Sequence, residues 1–304
     1  MKITEARSDR SEAGFSLLEL MLVVAILTIV LGSVFNGMDQ ATKRSEVEQT
    51  KVDLTQQGRE FVDEFERDVH QAGYPNCRMV ATAGVAANCP ADGTIPTSSP
   101  SLPVITNPLV AAGIVSISNT QVVIEGDVDG SGTMSQVWYQ LVDSAGNYPP
   151  TGTCPCKLQR AQIAKTAASD ATWPLPQPAQ THFSLELQNV VNSGQSTTAG
   201  VYSGGLAIAG NTAWGETNTA YYAAVSAFKD FPVFQAYDQY GNIVALPQDL
   251  HNSATLNCSA SFNGCIKSIR LTINLLANGT TGVDLTTNTR PVTTLVGDAR
   301  LVNN

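Results

Sequence analysis

The chain has 304 residues, with a hydrophobic fraction of 43% and a charged fraction of only 14%. Its formal net charge is -9, from 17 Lys plus Arg against 26 Asp plus Glu. This charge disfavours general nucleic-acid binding, because phosphate recognition needs a cationic surface. Low charge with abundant Gly, Ser, Thr and Asn favours an extracytoplasmic β-rich domain over a cytosolic helical enzyme.

The first distinctive element is an apolar segment near the N-terminus. Residues 15–35 read FSLLELMLVVAILTIVLGSVF and contain one ionisable side chain, Glu19. At ~1.5 Å per residue, a helix of this length spans roughly 30 Å, which matches a bilayer core. A secretory signal peptide fits poorly, because no small-residue cleavage site follows. A plain membrane anchor would explain the length but not a carboxylate near one end.

The residues at the start of this segment carry a resemblance to a known family. Residues 14–19 read GFSLLE, which resembles the prepilin cleavage and methylation motif of type IV pilins and type II secretion pseudopilins. The resemblance implies cleavage between Gly14 and Phe15 by a prepilin peptidase, followed by N-methylation of the new Phe15 amine. Because the cut precedes the apolar helix, the mature protein would keep its membrane anchor.

Glu19 is the candidate assembly residue. A charged side chain at the centre of an apolar span costs ~2.5–3.5 kcal/mol on insertion scales, so it usually has a partner. Cleavage would create an α-ammonium at Phe15, one helical turn away, in the same chain or in a neighbouring subunit. The resemblance implies the neighbour, which would make Glu19 a subunit-registration residue. The alternative is a carboxylate that snorkels to the membrane surface.

A second helical pattern follows, and it contains no proline before Pro75. Apolar residues recur at spacings of seven, four or three, which indicates one buried helix face: Val47, Leu54, Phe61, Phe65, Val69 and Ala72. Gly73 and the following Tyr74-Pro75 predict the end of this helix. It is either an ordinary amphipathic helix on a sheet or the second half of a pilin spine helix.

Four short segments add a finer resemblance. Residues 66–74, ERDVHQAGY, are similar to the end of the spine helix in PilW-like minor pilins, with His70 where that family often has a basic residue. An acidic turn, then V-x-Y, then L-x-R also recurs in PilW-like proteins. Residues 127–132, 137–139 and 158–160 resemble this series.

The remainder predicts a β-rich domain with long loops. Residues 90–113 and 194–215 are rich in small and turn-forming residues and predict loops. Six stretches predict strands, the first as a hairpin: Ile114–Glu125, Gln136–Val142, Cys156–Arg160, Tyr221–Phe228, Pro232–Tyr237 and Ile266–Ala277.

We therefore expect an α+β, type IV pilin-like fold, with a long N-terminal helix packed on a β-rich C-terminal domain. The predicted divisions are a cleaved cytoplasmic leader (1–14), a transmembrane and filament-core helix (15–38), an amphipathic spine helix (39–73) and a periplasmic or extracellular domain (74–304).

One segment raises a candidate cofactor. Asp127, Asp129 and Ser131 place oxygen ligands at alternate positions before Gly132, as in the first half of an EF-hand-type calcium loop. The position for a bidentate glutamate holds Trp138 instead. The alternative is a tight turn between strands, where Asp and Gly are favoured for backbone reasons. The prediction is no cofactor, with calcium as the one candidate.

Six cysteines in a chain with an export signal favour disulfides. The simplest pairings join sequence neighbours, Cys77 with Cys89 and Cys258 with Cys265. Cys154 and Cys156 would close a very tight ring, so they could equally stay reduced or reach other partners. Zinc is disfavoured, because none of the three histidines lies at ligand spacing from a cysteine pair.

The sequence predicts an assembly protein rather than an enzyme. It contains no G-x-S-x-G, P-loop or H-E-x-x-H motif, so no catalytic residue is predicted. The resemblance implies a PilW-like minor pilin that takes part in type IV pilus assembly and initiation. The alternatives are a minor pseudopilin of a type II secretion system, a tip-exposed adhesin or binding module, and an enzyme tethered by a pilin-like helix.

The expected partners are other minor and major pilins, the prepilin peptidase and the inner-membrane assembly platform. The expected location is the inner membrane, as a single-pass protein with a periplasmic C-terminal domain, and then the filament or the cell surface.

Overall fold

A computed structural model describes residues 16–75, 109–143, 145–150, 156–166, 176–192, 228, 231–249, 266–277 and 292–302. Over these residues, one long N-terminal helix packs on an antiparallel β-sheet. The predicted α+β class is confirmed.

Helix α1 spans Leu17–Gln71, 55 residues, or about 80 Å of helix. Ser16 is its N-cap, and no proline interrupts it. It ends directly before the predicted stop at Gly73, whose φ of 80° lies in the left-handed region that favours glycine. The predicted segments 15–38 and 39–73 thus belong to one continuous helix. Burial changes along it, since Val47 is its first buried residue.

Ten strands are described: β1 (Gly113–Ile117), β2 (Gln121–Gly126), β3 (Ser135–Val142), β4 (Cys156–Ala164), β5 (Phe183–Val190), β6 (Phe234–Tyr237), β7 (Ile243–Val244), β8 (Gln248–Asp249), β9 (Ser268–Leu276) and β10 (Val292–Arg300). A short 3₁₀ helix, Gln180–His182, precedes β5. The strands form one sheet in the order β7-β6-β9-β5-β4-β3-β2-β1-β8, with β10 also paired to β9. The described pairings are antiparallel.

Five of the six predicted strand regions correspond to described strands. The predicted hairpin is β1–β2, and the other four contain β3, the first half of β4, β6 and β9. Of Tyr221–Phe228, all but Phe228 lies outside the described residues. Strands β5, β7, β8 and β10 were not predicted.

The predicted buried face of α1 is confirmed, since all six of its apolar residues are buried. The Phe65 ring lies 5.2 Å from Tyr139 and 5.7 Å from Phe234, centroid to centroid. Full burial of one such side chain contributes about 1.5–3 kcal/mol to the free energy of folding. This face fixes the second half of α1 on the sheet.

Two glycines allow α1 to approach β10 closely. A Cβ at Gly58 of the helix would overlap Leu295, and a Cβ at Gly297 would lie 2.6 Å from Val62 Cγ1. Besides Leu295, the inward positions of β10 are occupied by small residues, Gly297 and Ala299. Their size explains why apolar alternation did not reveal this strand.

Candidate assembly site

The first half of α1 presents an apolar surface that the domain does not cover. Its large apolar side chains from Leu17 to Met38 are more than two-fifths exposed, for example 75% for Leu17 and 67% for Phe35. Within the described residues, α1 is the one helix long and apolar enough to cross a membrane. An apolar surface of this size must be covered by lipid or by neighbouring helices.

The Glu19 side chain turns back toward the N-terminus of its own helix. The Ser16 backbone N–H donates a hydrogen bond to Glu19 Oε2 at 3.4 Å. A carboxylate at this position also offsets the positive end of the helix dipole. Glu19 thus contacts the residue directly after Phe15. Gly14 and Phe15 lie outside the described residues, and the registration role of Glu19 stays a prediction.

A buried polar cluster joins the second half of α1 to the sheet. We call Asp68, Tyr139 and Arg160 the Asp68 latch. Tyr139 Oη donates to Asp68 Oδ2 at 2.6 Å, and Arg160 donates to the same oxygen from Nε at 3.0 Å and from Nη2 at 2.7 Å. Asp68 and Tyr139 are fully buried. The latch connects α1 to β3 and β4 through charge-assisted hydrogen bonds.

The electrostatics of the latch follow from this geometry. Burial, together with the charge of Asp68 and the hydrogen bond to it, raises the pKa of Tyr139, so the phenol stays a donor. Burial alone would lower the pKa of Arg160, but Asp68 and Tyr139 outweigh it and the pKa is raised. Glu64 Oε1 lies 3.3 Å from Arg160 Nε, yet desolvation exceeds this attraction and the pKa of Glu64 is raised.

A second buried ion pair lies beside the end of α1. Lys165 Nζ and Glu125 Oε2 are 2.6 Å apart, and both side chains are fully buried. Glu125 also accepts from Gln136 Nε2 at 3.0 Å and from the Ala112 backbone N–H at 3.0 Å. Lys165 donates to the Val110 carbonyl at 2.9 Å. These bonds satisfy both buried charges, as burial requires.

The backbone at the end of α1 continues this attachment. The Gly73 N–H donates to the Glu125 carbonyl at 2.8 Å, and the Asp127 N–H donates to the Tyr74 carbonyl at 2.9 Å. A Cβ at Gly126 would lie 2.5 Å from the Gln71 carbonyl oxygen. Only glycine fits between the last turn of the helix and strand β2.

Residues from all four PilW-like segments lie at this junction. Asp68, Tyr139 and Arg160 form the latch. The Asp127 backbone N–H donates to the carbonyl of Tyr74, the last residue of the first segment. Sequence analysis did not identify Glu64, or the pair Glu125 and Lys165. A glutamate inside the apolar strand VVIEG was the available signal, because a buried carboxylate needs a partner.

The candidate calcium residues form a turn whose oxygens accept backbone N–H groups. Asp127 Oδ2 accepts from Gly132 N at 2.9 Å, and Asp129 Oδ1 accepts from Ser131 N at 3.0 Å. Hydrogen bonds from Ser131 lower the pKa of Asp129, so this carboxylate is ionised. Gly130 and Gly132 have φ of 68° and 80°. In the described part of the chain, no group of three His, Cys, Asp or Glu residues is placed to hold a metal.

The chain uses aspartate to close other turns as well. Asp238 Oδ1 accepts from Tyr240 N and Asn242 N, both at 2.8 Å, and Oδ2 accepts from Asn242 Nδ2 at 2.9 Å. Asp143 makes the same three bonds to the residues two and four places on. Both segments share the spacing D-x-x-G-N. This repeated use of aspartate supports the turn interpretation of residues 127–132.

Cys156 is buried in β4. The residues predicted to pair, Cys77, Cys89, Cys258 and Cys265, lie outside the described residues, as does Cys154. Their pairing stays a prediction.

Comparison with known proteins identifies the N-terminus. Residues 9–35 match the family model of the prokaryotic N-terminal methylation motif. No curated protein and no solved structure matches the chain. The matched range includes Gly14, Phe15 and Glu19 and most of the exposed apolar half of α1, but it does not distinguish a PilW-like protein from other pilin-like proteins. The chain therefore carries a type IV prepilin-like N-terminal signal, joined to a long helix and a β-rich domain in the α+β arrangement of type IV pilins.

Proposed function

We propose that the chain is a structural subunit of a type IV pilus, a PilW-like minor pilin that assembles through α1. The observation that carries this proposal is the division of one helix into two halves. The apolar half, directly behind the methylation motif, is exposed, whereas the second half is fixed on the sheet. An exposed, membrane-length apolar helix on a folded domain is suited to pass from lipid into a bundle of similar helices.

The proposed location follows from the same segment. Lys2, Arg7 and Arg10 precede the apolar helix, and basic flanks stay in the cytoplasm. The β-rich domain would then be periplasmic until the subunit enters a filament. The proposed partners are the prepilin peptidase, the inner-membrane platform and other major and minor pilins.

The PilW-like assignment is supported by the Asp68 latch. Segments that are far apart in sequence and resemble PilW-like proteins contribute its three side chains. A shared contact gives these segments a common physical reason to keep those residue types. The N-terminal signal alone also supports a minor pseudopilin of a type II secretion system, which is the second candidate.

The test is processing followed by assembly of the full-length chain. Gly14→Ile should leave uncleaved precursor in the membrane, because the peptidase cleft would meet a bulky side chain. Glu19→Ala should be cleaved and inserted but should enter filaments poorly, since an incoming Phe15 ammonium would lack its counter-charge. Leaving one buried charge unpaired costs ~3–5 kcal/mol, or about two to four decades in association.

The measurements are mass spectrometry of the N-terminal peptide and immunoblots of sheared pili and of secretion-system filaments. Asp63→Ala is the matched control, because it removes a carboxylate from an exposed position of α1 outside the apolar half. A mature chain that begins at Met1 would refute processing. Wild-type incorporation of Glu19→Ala would refute the registration role, and incorporation only into secretion filaments would select the pseudopilin.

A further inference from the structure

The second half of α1 carries a charged flank on each side of its buried stripe. At about 100° per residue, the acidic flank lies roughly 80–120° to one side of Leu54, and the basic flank lies roughly 60–140° to the other side. The acidic flank consists of Glu46, Asp53 and Glu60, and the basic flank of Arg44, Lys51 and Arg59, with one acid, Glu48, also on the basic side at roughly 120°. Lys51 is half-buried and the other five are exposed.

Contacts with the sheet fix the direction of each flank. The acidic flank faces β5, where Asp53 and Glu186 line a cavity of about 370 Å³ between α1 and that strand. The basic flank faces β10, because Gly58 and Val62 on that side of the helix contact β10. The two flanks therefore point away from each other across the molecule.

These charges are only weakly neutralised within the described part of the chain. No ion pair is formed there by Glu46, Asp53, Arg44 or Arg59. Lys51 forms an ion pair with the exposed Glu48 at 3.2 Å. In this pair, 40% of the Lys51 side chain remains exposed. Both flanks thus remain available to a partner of opposite charge.

The acidic residues and the basic residues of the two flanks lie at nearly the same positions along the helix axis. Arg44 is two residues from Glu46, Lys51 is two from Asp53, and Arg59 is one from Glu60. These separations are ~3, ~3 and ~1.5 Å along the axis. Two parallel copies whose apolar segments lie at the same membrane depth would therefore align three opposite-charge pairs simultaneously.

We infer that α1 is an electrostatic docking surface for a second copy of this chain, with the acidic flank of one copy against the basic flank of the next. This inference rests on the proposed pilin-like function, because the shared membrane makes the two helices parallel and level. Exposed ion pairs are individually weak and are screened by salt. Confinement in one membrane raises the effective concentration enough for such pairs to act together.

The contact is head-to-tail rather than self-complementary, so copies can add in a row. The acids repeat every seven residues, so sliding one copy by ~10.5 Å along the axis aligns Lys51 with Glu46 and Arg59 with Asp53. Two of the three pairs survive this shift. The surface therefore permits level neighbours and neighbours staggered by one heptad.

The test uses the full-length mature protein in liposomes. Copies with light and heavy isotopes are mixed and treated with a carbodiimide, which couples carboxylates to amines. We expect cross-links from heavy Lys51 to light Glu46 or Asp53, and at least a fivefold loss of covalent dimer in 0.5 M salt, as expected for exposed ion pairs. Asp53→Lys alone and Lys51→Glu alone should each lower the dimer yield severalfold.

An equal mixture of the Asp53→Lys and Lys51→Glu chains should restore the dimer, because every level contact between unlike copies pairs opposite charges again. Asp63→Lys makes the same charge change on the exposed, outward side of α1 and should leave the yield unchanged. Insensitivity to salt and to both flank substitutions, or an equal loss with Asp63→Lys, would overturn the inference. Processing at Phe15 and membrane retention are measured in the same samples, so failure there would instead refute the proposed function.

Discussion

Arg160 on β4 donates two hydrogen bonds to a single carboxylate oxygen of Asp68 on α1, at 3.0 and 2.7 Å. The two residues are 92 positions apart in the sequence. One buried oxygen, which Tyr139 also shares, thus accepts three hydrogen bonds that join the spine helix to the domain.

Asp68→Asn should weaken the attachment of this end of the helix. The amide keeps the shape of the side chain but removes the charge, and only 14% of the Arg160 side chain is exposed. Breaking a buried ion pair typically costs ~3–5 kcal/mol. Thermal unfolding of the full-length protein in detergent should show a marked fall in Tm. Asp63→Asn, at an exposed position on the same helix, is the control.

Replacing both partners should cost less than replacing one. In Asp68→Leu with Arg160→Met, no charge is left buried, so the double variant should be more stable than either single variant. A double variant no better than Asp68→Leu alone would mean that packing, rather than charge pairing, sets the cost at this site.

Glu64 should make stability depend on pH. Burial raises its folded-state pKa above the ordinary value of 4.5, so the folded chain binds this proton more tightly than the unfolded chain. The stabilisation is therefore present below about pH 4.5 and is lost as the pH rises through the folded pKa. Glu64→Gln should be at least as stable as wild type at pH 7, and the difference should shrink on acidification.

Urea unfolding of both proteins between pH 4 and pH 7 measures this effect. A Glu64→Gln variant that is less stable at pH 7 would show that attraction to Arg160 outweighs burial, opposite to the direction of the pKa.

Gly126 and Gly297 should respond differently to alanine. At Gly126 the new Cβ would meet the Gln71 carbonyl, which is backbone and cannot turn aside, whereas at Gly297 it would meet a methyl group of Val62. Overpacking typically costs 1–3 kcal/mol, so we expect about that for Gly126→Ala and less for Gly297→Ala. Equal Tm values for the two variants would contradict the close approach of α1 to β2.

Calcium binding at Asp127, Asp129 and Ser131 stays a prediction. Calorimetry on the full-length protein should show calcium uptake that Asp129→Asn abolishes. The amide oxygen of Asn can still accept from Ser131 N, so this variant tests charge while it preserves the turn. No heat in the wild type, and no change in Tm on adding calcium, would leave the turn interpretation alone.

The sequence revealed the helix more completely than the sheet. The buried face of the helix was predicted from one helical periodicity that repeats from Val47 to Ala72. All six residues of that face are buried. Strand β10 was missed because, after Leu295, its inward side holds glycine and alanine where the helix comes close. Hydrophobic periodicity detects large buried side chains, but it does not detect small buried residues that allow another element to approach closely.

The polar junction was only partly accessible to sequence reasoning. The segments around Asp68, Tyr139 and Arg160 were recognised as resemblances, but their mutual contact depends on the order of strands, which no local pattern encodes. Glu125 and Lys165 are 40 positions apart, and only the folded sheet brings them together.

The attachment of α1 also determines how the domain carries mechanical load. The polar tethers at its end run to β2, β3 and β4, which all lie inside the sheet with a paired strand on each side. Tension carried by these polar tethers therefore enters the domain through interior strands, where many ladder hydrogen bonds share the force, while the apolar contacts of α1 also reach β10, which pairs only with β9 among the described strands. The domain is thus built to stay folded while its helix is pulled.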